Sequence, residues 1–281
     1  MSSGKPTIAF FGATGGSGST ALTHALKGQH HCTALVRSPL KLRQILLTEH
    51  SVCAETIDEY LIIHQGDARN YEDVSKALIS PASPTHLVST IWTSLGVNPV
   101  IQLSLRTPLP LPAHSASITE DAMRAVFAAI GFLAAQHNII STTSNTRPLA
   151  VIVSATASKD VWGSVPWPWI FAPLYKWLLG APHDEKMRME EVVYRDAGQH
   201  LRGFIILRPA ILTDGPERGT DSVRVGWLWG RKSETGIEAE EEAGPAIGWS
   251  VGRKDLGLWA YENALKGGGD EWVGKCVSLC Y

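Results

Sequence analysis

A chain of 281 residues is long enough for one large α/β domain, or for one domain with a small appendage. Its composition is 44% hydrophobic and 19% charged, and a formal net charge of -2 lacks the basic excess with which nucleic-acid binders neutralise phosphates. No apolar run reaches the ~20 residues needed to cross a bilayer, because prolines at 166, 168 and 173 break the Trp-rich stretch 165–179.

In chain order, residues 7–11 (TIAFF) read as a buried parallel strand that ends at Gly12. A glycine-rich segment, 12–18, leads into a helix over Ser19–Leu26. Further strands are predicted at His31–Val36, at Tyr60–His64 ahead of Gly66, and at His86–Ile91. Residues 118–135 carry apolar positions at helical spacing, with Thr119 and two acidic residues at the start. A fifth strand is predicted at 148–154, a helix at 184–197 and a sixth strand at 203–208. The last strand is predicted at 272–279. This alternation specifies a Rossmann-type, doubly wound, mostly parallel sheet with helices on both faces. The reading is one domain over 1–281, with 157–182 and 213–250 as pocket-forming or surface insertions. The charge run Glu238–Glu242 suits a solvated loop.

The cysteines, Cys32, Cys53, Cys276 and Cys280, lack the paired spacing of a zinc site, so no metal is expected. They read as reduced, structural thiols. With no basic segment and apolar stretch at the N-terminus, the expected location is cytoplasmic.

The strongest signal is Gly12-Ala13-Thr14-Gly15-Gly16-Ser17-Gly18 between the first strand and the first helix. A dinucleotide diphosphate needs close backbone approach and a free helix N-terminus, and glycines at this spacing supply both. The second strand ends in Leu35-Val36-Arg37-Ser38, with no acid to accept bonds from an NAD ribose. Arg37 and Ser38 suit a 2′-phosphate, so NADP(H) is the expected cofactor; the other reading of Arg37 is a solvated surface arginine. Asp67 is placed either to meet the adenine edge or simply to form a turn.

GATGGSG, LVRS, GDARN and ILRPAIL, at the ends of successive strands, resemble the atypical short-chain dehydrogenase/reductases. The similarity is to the branch of flavin/biliverdin-IXβ reductase-like and NmrA-like NAD(P)-binding proteins. Residues 252–256 (GRKDL) are similar to the segment that opens a late helix there. The resemblance implies a C-terminal part that closes a substrate pocket over the nicotinamide. It also extends the cofactor contacts to Ile91, Trp92, Pro209 and Ile211.

One departure stands out. The family's usual Tyr-x-x-x-Lys pair, in which tyrosine protonates a carbonyl, is absent: Tyr175 and Lys176 are adjacent, and Tyr261 and Lys266 are five apart. By resemblance, Thr156 takes the place of the family's active-site hydroxyl, with Ser154 beside it; capping of the strand end is the alternative for Thr156. Lys186 falls where the biliverdin-IXβ reductase branch has a histidine. It either orients the cofactor and steadies negative charge, or pairs on the surface with Glu190. His183 reads as a cap or loop residue.

Trp162, Trp167, Trp169, Phe171, Tyr175 and Trp177 crowd one segment. They suit a pocket for a flat, bulky apolar ligand, with Trp92 joining its wall, or else a homodimer interface. Three functions follow: an NADPH-dependent reductase of a bulky carbonyl, quinone, enone or flavin-like small molecule, plausible in specialised metabolism; a redox-silent NADP(H) sensor; and a non-redox isomerase, dehydratase or rearrangement enzyme using Thr156, Asp184 and Lys186.

Overall fold

The computed structural model describes residues 5–96, 117–136, 146–155, 172–196, 198–230, 242–267 and 269–281, with 172–183 in backbone only. The elements in chain order are β1 (Ile8–Phe11), α1 (Gly16–Lys27), β2 (Cys32–Val36), α2 (Pro39–Thr48), α3 (Ala54–Tyr60), β3 (Leu61–Gln65) and α4 (Tyr71–Leu78). Then come β4 (Ile79–Ser80), β5 (Ser83–Leu87), β6 (Thr90–Thr93), α5 (Ile118–Ala135), β7 (Leu149–Val153), α6 (Ala172–Arg195), β8 (Gly203–Pro209) and β9 (Ile211–Thr213). The chain closes with β10 (Arg224–Trp229), β11 (Ser250–Gly252), α7 (Arg253–Ala260), a π-helical turn over Tyr261–Leu265, and β12 (Lys275–Cys280).

Eight strands form one sheet in the order β10-β12-β8-β7-β6-β1-β2-β3. Every neighbouring pair is parallel except β10 and β12. Strand order reverses between β1 and β6, so a crevice opens there at the carboxyl ends, the usual ligand position in such sheets. The central strands are short apolar runs because both faces are covered. Side chains alternate between the two faces. Phe10, Trp92, Val151 and Ile205 pack towards α1 and α7. Phe11, Ile91, Ile152 and Ile206 pack towards α4, α5 and α6.

The predicted fourth strand, 86–91, is corrected. Its apolar run straddles two elements: β5 pairs antiparallel with β4 in a hairpin, and the central strand is β6, lying against β1 in the register Phe10↔Trp92. Trp92 is therefore inside the strand. The segment 213–250 is also more than an insertion, since β10 forms the edge of the main sheet. Of the charge run, Glu242 is described, and its carboxylate accepts the Trp229 N–H at 3.1 Å. The helix predicted from 184 begins at Ala172 and runs through Pro182.

All four cysteines are free thiols; Cys32, Cys276 and Cys280 are buried and Cys53 is exposed. Among the described residues, no helix is long and apolar enough to cross a membrane. Nor do three His, Cys, Asp or Glu side chains gather there as metal ligands would.

Candidate active site

The glycine-rich segment turns tightly out of β1. Gly12 has φ +89°, the left-handed region that favours glycine, and its carbonyl accepts the Gly15 N–H at 3.1 Å. A Cβ on Gly12 would stand 2.8 Å from the Ser94 carbonyl carbon, and one on Gly18 would collide with the Gly12 carbonyl oxygen. Both positions are closed to a side chain by backbone. Gly15 is the N-cap of α1; no side chain caps the helix, and its first turn carries no acid. Gly15 and Gly16 are exposed. The exposed start of α1 at Gly15–Gly16 lies at the positive end of the helix dipole, which fits an anionic diphosphate.

Ser94 was not singled out in the sequence, yet it holds this turn from the next strand. Its N–H donates to the Phe11 carbonyl at 3.0 Å, and its hydroxyl donates to the Gly12 carbonyl at 3.2 Å while accepting the Trp92 Nε1–H at 3.0 Å. Trp92 is fully buried, with its ring centroid 6.4 Å from that of Phe10. Its indole thus belongs to the core, which corrects the expectation that it lines a substrate wall. Ile91 is equally buried, and its side chain packs against α5 rather than into the crevice. Pro209 ends β8, buried, and Ile211 follows at 50% exposure.

At the end of β2, Arg37 is exposed. Among the described residues, no carboxylate forms an ion pair with its guanidinium. Ser38 caps α2, its hydroxyl accepting the Lys41 N–H at 3.4 Å, so its own proton can still be donated outward. Asp67 behaves as the turn former. Its carboxylate is bound by Arg69 at 2.6 and 3.1 Å and accepts the Arg69 N–H at 2.9 Å. These bonds, with a smaller contribution from the charge of Arg37, hold the Asp67 carboxyl below its usual range. A small apolar crevice between the loop after β3, the end of β6 and α5 is lined by Ala68, Thr93, Leu95, Met123 and Val126.

Lys186 extends from α6 to the carboxyl ends of two central strands. Its ammonium donates to the Leu95 carbonyl at 2.7 Å and to the Val153 carbonyl at 3.1 Å, tying together the carboxyl ends of β6 and β7. Burial pushes its pKa down to about 8, and the charges of Glu185 and Glu190 only partly oppose this. The alternative of a surface pair with Glu190 is thereby corrected.

Both neighbouring acids are engaged elsewhere. Glu185 accepts the Thr119 N–H at 2.8 Å and its hydroxyl at 3.0 Å, capping α5. Glu190 takes the Ser154 hydroxyl at 2.5 Å and the Arg208 guanidinium at 3.2 and 2.5 Å. Tyr194 joins this group, donating to Glu190 at 3.3 Å and lying 3.2 Å from the Cys276 thiol. Ser154 is buried and its proton is committed to Glu190, so it positions the end of β7 rather than contacting a ligand. Thr156, Trp162, Trp167 and Trp169 lie outside the described residues. Tyr175 is on α6, with its side chain outside them, as is that of His183; Asp184 is exposed.

A second cation escaped the sequence reading. Arg253 opens α7 and lays its aliphatic chain beside Gly16: a Cβ there would meet the Arg253 Cδ at 2.9 Å. The signal was available in the late GRKDL segment, but only the packing of α7 on α1 reveals which loop it faces.

Comparison with known proteins supplies the family. No family model matches the chain. Reductase pytE of Aspergillus terreus is 34% identical over 288 aligned positions, covering all of both chains. Oxidase pynE of Aspergillus niger is 32% identical, over 98% of each. The chain belongs to the family of pytE and pynE. Both members are named for redox chemistry, so this family is one of oxidoreductases. Among solved structures, the anaerobilin reductase ChuY of Escherichia coli superposes with a TM-score of 0.56 at 19% identity, over 98% of this chain and 96% of that one. At that identity the likeness is one of fold, and it agrees with the NAD(P)-binding Rossmann resemblance read in the sequence.

Proposed function

We propose that this protein is an NADPH-dependent reductase of a bulky apolar small molecule, a carbonyl, quinone, enone or flavin-like acceptor, in specialised metabolism. The observation that carries the reading is the glycine turn at the β1–β6 reversal, closed to Cβ atoms and presenting an uncapped helix N-terminus. Arg37 and Ser38, at the end of β2, are the groups for a 2′-phosphate, which favours NADP(H) over NAD(H).

A reduced nicotinamide, when bound, supplies a hydride; the chain has to position it, exclude water and furnish one proton. The absence of Tyr-x-x-x-Lys directs attention to Lys186 as the proton source. Its ammonium has three donors, of which two hold the Leu95 and Val153 carbonyls. A value of about 8 keeps the proton present at neutral pH yet transferable. In this reading the acceptor gains a hydride and the Lys186 proton, water restores the proton, and Thr156 steadies the acceptor oxygen. Trp162, Trp167, Trp169 and Tyr175 are the proposed apolar wall.

The test is a fluorescence titration with NADPH and NADH, followed by quinone, flavin and ketone acceptors in the same cuvette. Preferential NADPH binding, with oxidation by at least one acceptor class, is expected. Binding without oxidation by any acceptor would replace the reductase with a redox-silent sensor or a non-redox enzyme. Absence of binding would remove the dinucleotide reading altogether.

A further inference from the structure

The strap between β9 and β10 is fastened at several points beside the glycine turn. Asp255, fully buried at the start of α7, accepts the Arg218 N–H at 2.7 Å and the Gly219 N–H at 2.9 Å through one oxygen. Through the other it takes the Tyr281 hydroxyl at 2.5 Å, and that hydroxyl accepts the Gly252 N–H at 2.8 Å. Glu217 reaches His24 on α1 at 3.2 Å. The strap is thus held against the first turn of α7 and the last turn of α1, and Asp214 stands at its entry. The Asp214 carboxylate meets the Arg253 guanidinium at 2.7 Å.

Two facts make this ion pair exchangeable. Asp214 is 87% exposed, so the pair is solvated and individually weak. Arg253 is only one-third exposed, because its stem is packed beside Gly16 in the uncapped first turn of α1. The cation is therefore fixed at the place where an anion fits, while its present partner is a surface carboxylate.

We propose that Arg253 is a diphosphate-binding residue, whose guanidinium exchanges the Asp214 carboxylate for the diphosphate of the bound dinucleotide. This rests on the dinucleotide reading given above. A planar guanidinium can take two oxygens of a phosphate as readily as two of a carboxylate. Asp214 then acts as a competitor for the same cation and holds the affinity down.

The test measures dissociation constants for NADPH and for adenosine 2′-monophosphate, which has no 5′-phosphate, together with the melting temperature without ligand. Arg253→Met is expected to weaken NADPH about 10-fold or more, the loss of a charge-assisted bond. It should leave adenosine 2′-monophosphate unchanged. Arg253→Lys should retain part of the affinity, and Asp214→Asn should tighten NADPH about 2-fold. The proposal is overturned if Arg253→Met binds NADPH within 2-fold of the parent, or if it loses both ligands to the same degree. An unchanged affinity in Asp214→Asn would remove the competition. A parent protein that binds neither NADPH nor NADH would overturn the dinucleotide reading and this proposal with it, whereas a parent that binds while Arg253 proves neutral overturns this proposal alone.

Discussion

The Arg208 guanidinium grips the Glu190 carboxylate through two bonds, at 3.2 and 2.5 Å, with both side chains about 7% exposed. A buried pair of this kind adds little net stability over an apolar pair of the same shape, but losing one partner strands a charge in the interior. Glu190→Ala is expected to cost about 3–5 kcal/mol in denaturant unfolding. Joint replacement of both residues by Met should recover most of that loss. A double variant no more stable than Glu190→Ala would show that the Ser154 and Tyr194 contacts, and not the stranded cation, dominate.

In the proposed mechanism, Lys186 sets an alkaline limit on activity. Its lowered value means that the proton is present below about pH 8 and lost above it, so turnover limited by that proton should fall as pH rises through about 8. Lys186→Met is expected to lower kcat by about 10²-fold, the scale of a removed general acid, and to abolish that limb. Lys186→Arg should lose the proton transfer as Lys186→Met does, since a guanidinium keeps its proton throughout the accessible pH range. An unchanged pH–kcat profile in Lys186→Met would take the lysine out of proton transfer.

Gly18→Ala tests the turn directly. Its Cβ would meet the Gly12 carbonyl, a backbone atom that cannot swing aside. NADPH affinity should drop at least about 10-fold, while far-ultraviolet circular dichroism remains that of the parent. Retained affinity would mean that the turn relaxes without consequence for the ligand.

Arg37→Met addresses cofactor choice. Loss of a charge-assisted bond to the 2′-phosphate should weaken NADPH by about 10- to 100-fold and leave NADH nearly unchanged. Equal weakening of both would assign Arg37 to something other than the 2′-phosphate.

Three imidazoles make the fold sensitive to acid. Burial lowers the values of His30, His50 and His64 below the ordinary 6.5. Between the lowered native values and 6.5 the unfolded chain binds more protons, so stability rises with pH across that window and falls as the solution is acidified through it. His50, whose Nε2 lies 2.9 Å from the Ser19 hydroxyl on α1, is the one closest to the glycine turn. His50→Gln should flatten the fall in melting temperature between about pH 7 and 5. A slope identical to the parent's would place the acid sensitivity in other groups.

The parallel strands were legible in the sequence because burial on both faces leaves continuous apolar runs, as in TIAFF and GFIILR. The run HLVSTI misled because apolarity alone does not say where a hairpin ends and a central strand begins. β10 was missed since it lies among glycines and pairs antiparallel at the edge, outside the βαβ rhythm. The glycine turn and Arg37 could be read because their chemistry is local. Ser94, Glu190 and Arg208 could not, because what they do depends on partners 82, 36 and 18 residues away.

The sheet order also governs how the chain can assemble. β12 comes last in sequence but lies inside the sheet, between β8 and β10. Until 275–280 is in place, β8 has an open edge and β10 has no ladder to join. The same zippering brings Tyr281 to Asp255, and with it the strap that carries Asp214 up to Arg253. The glycine turn, held by Ser94 just after β6, can therefore be in place before the strap beside it, which waits for 275–281 to join the sheet.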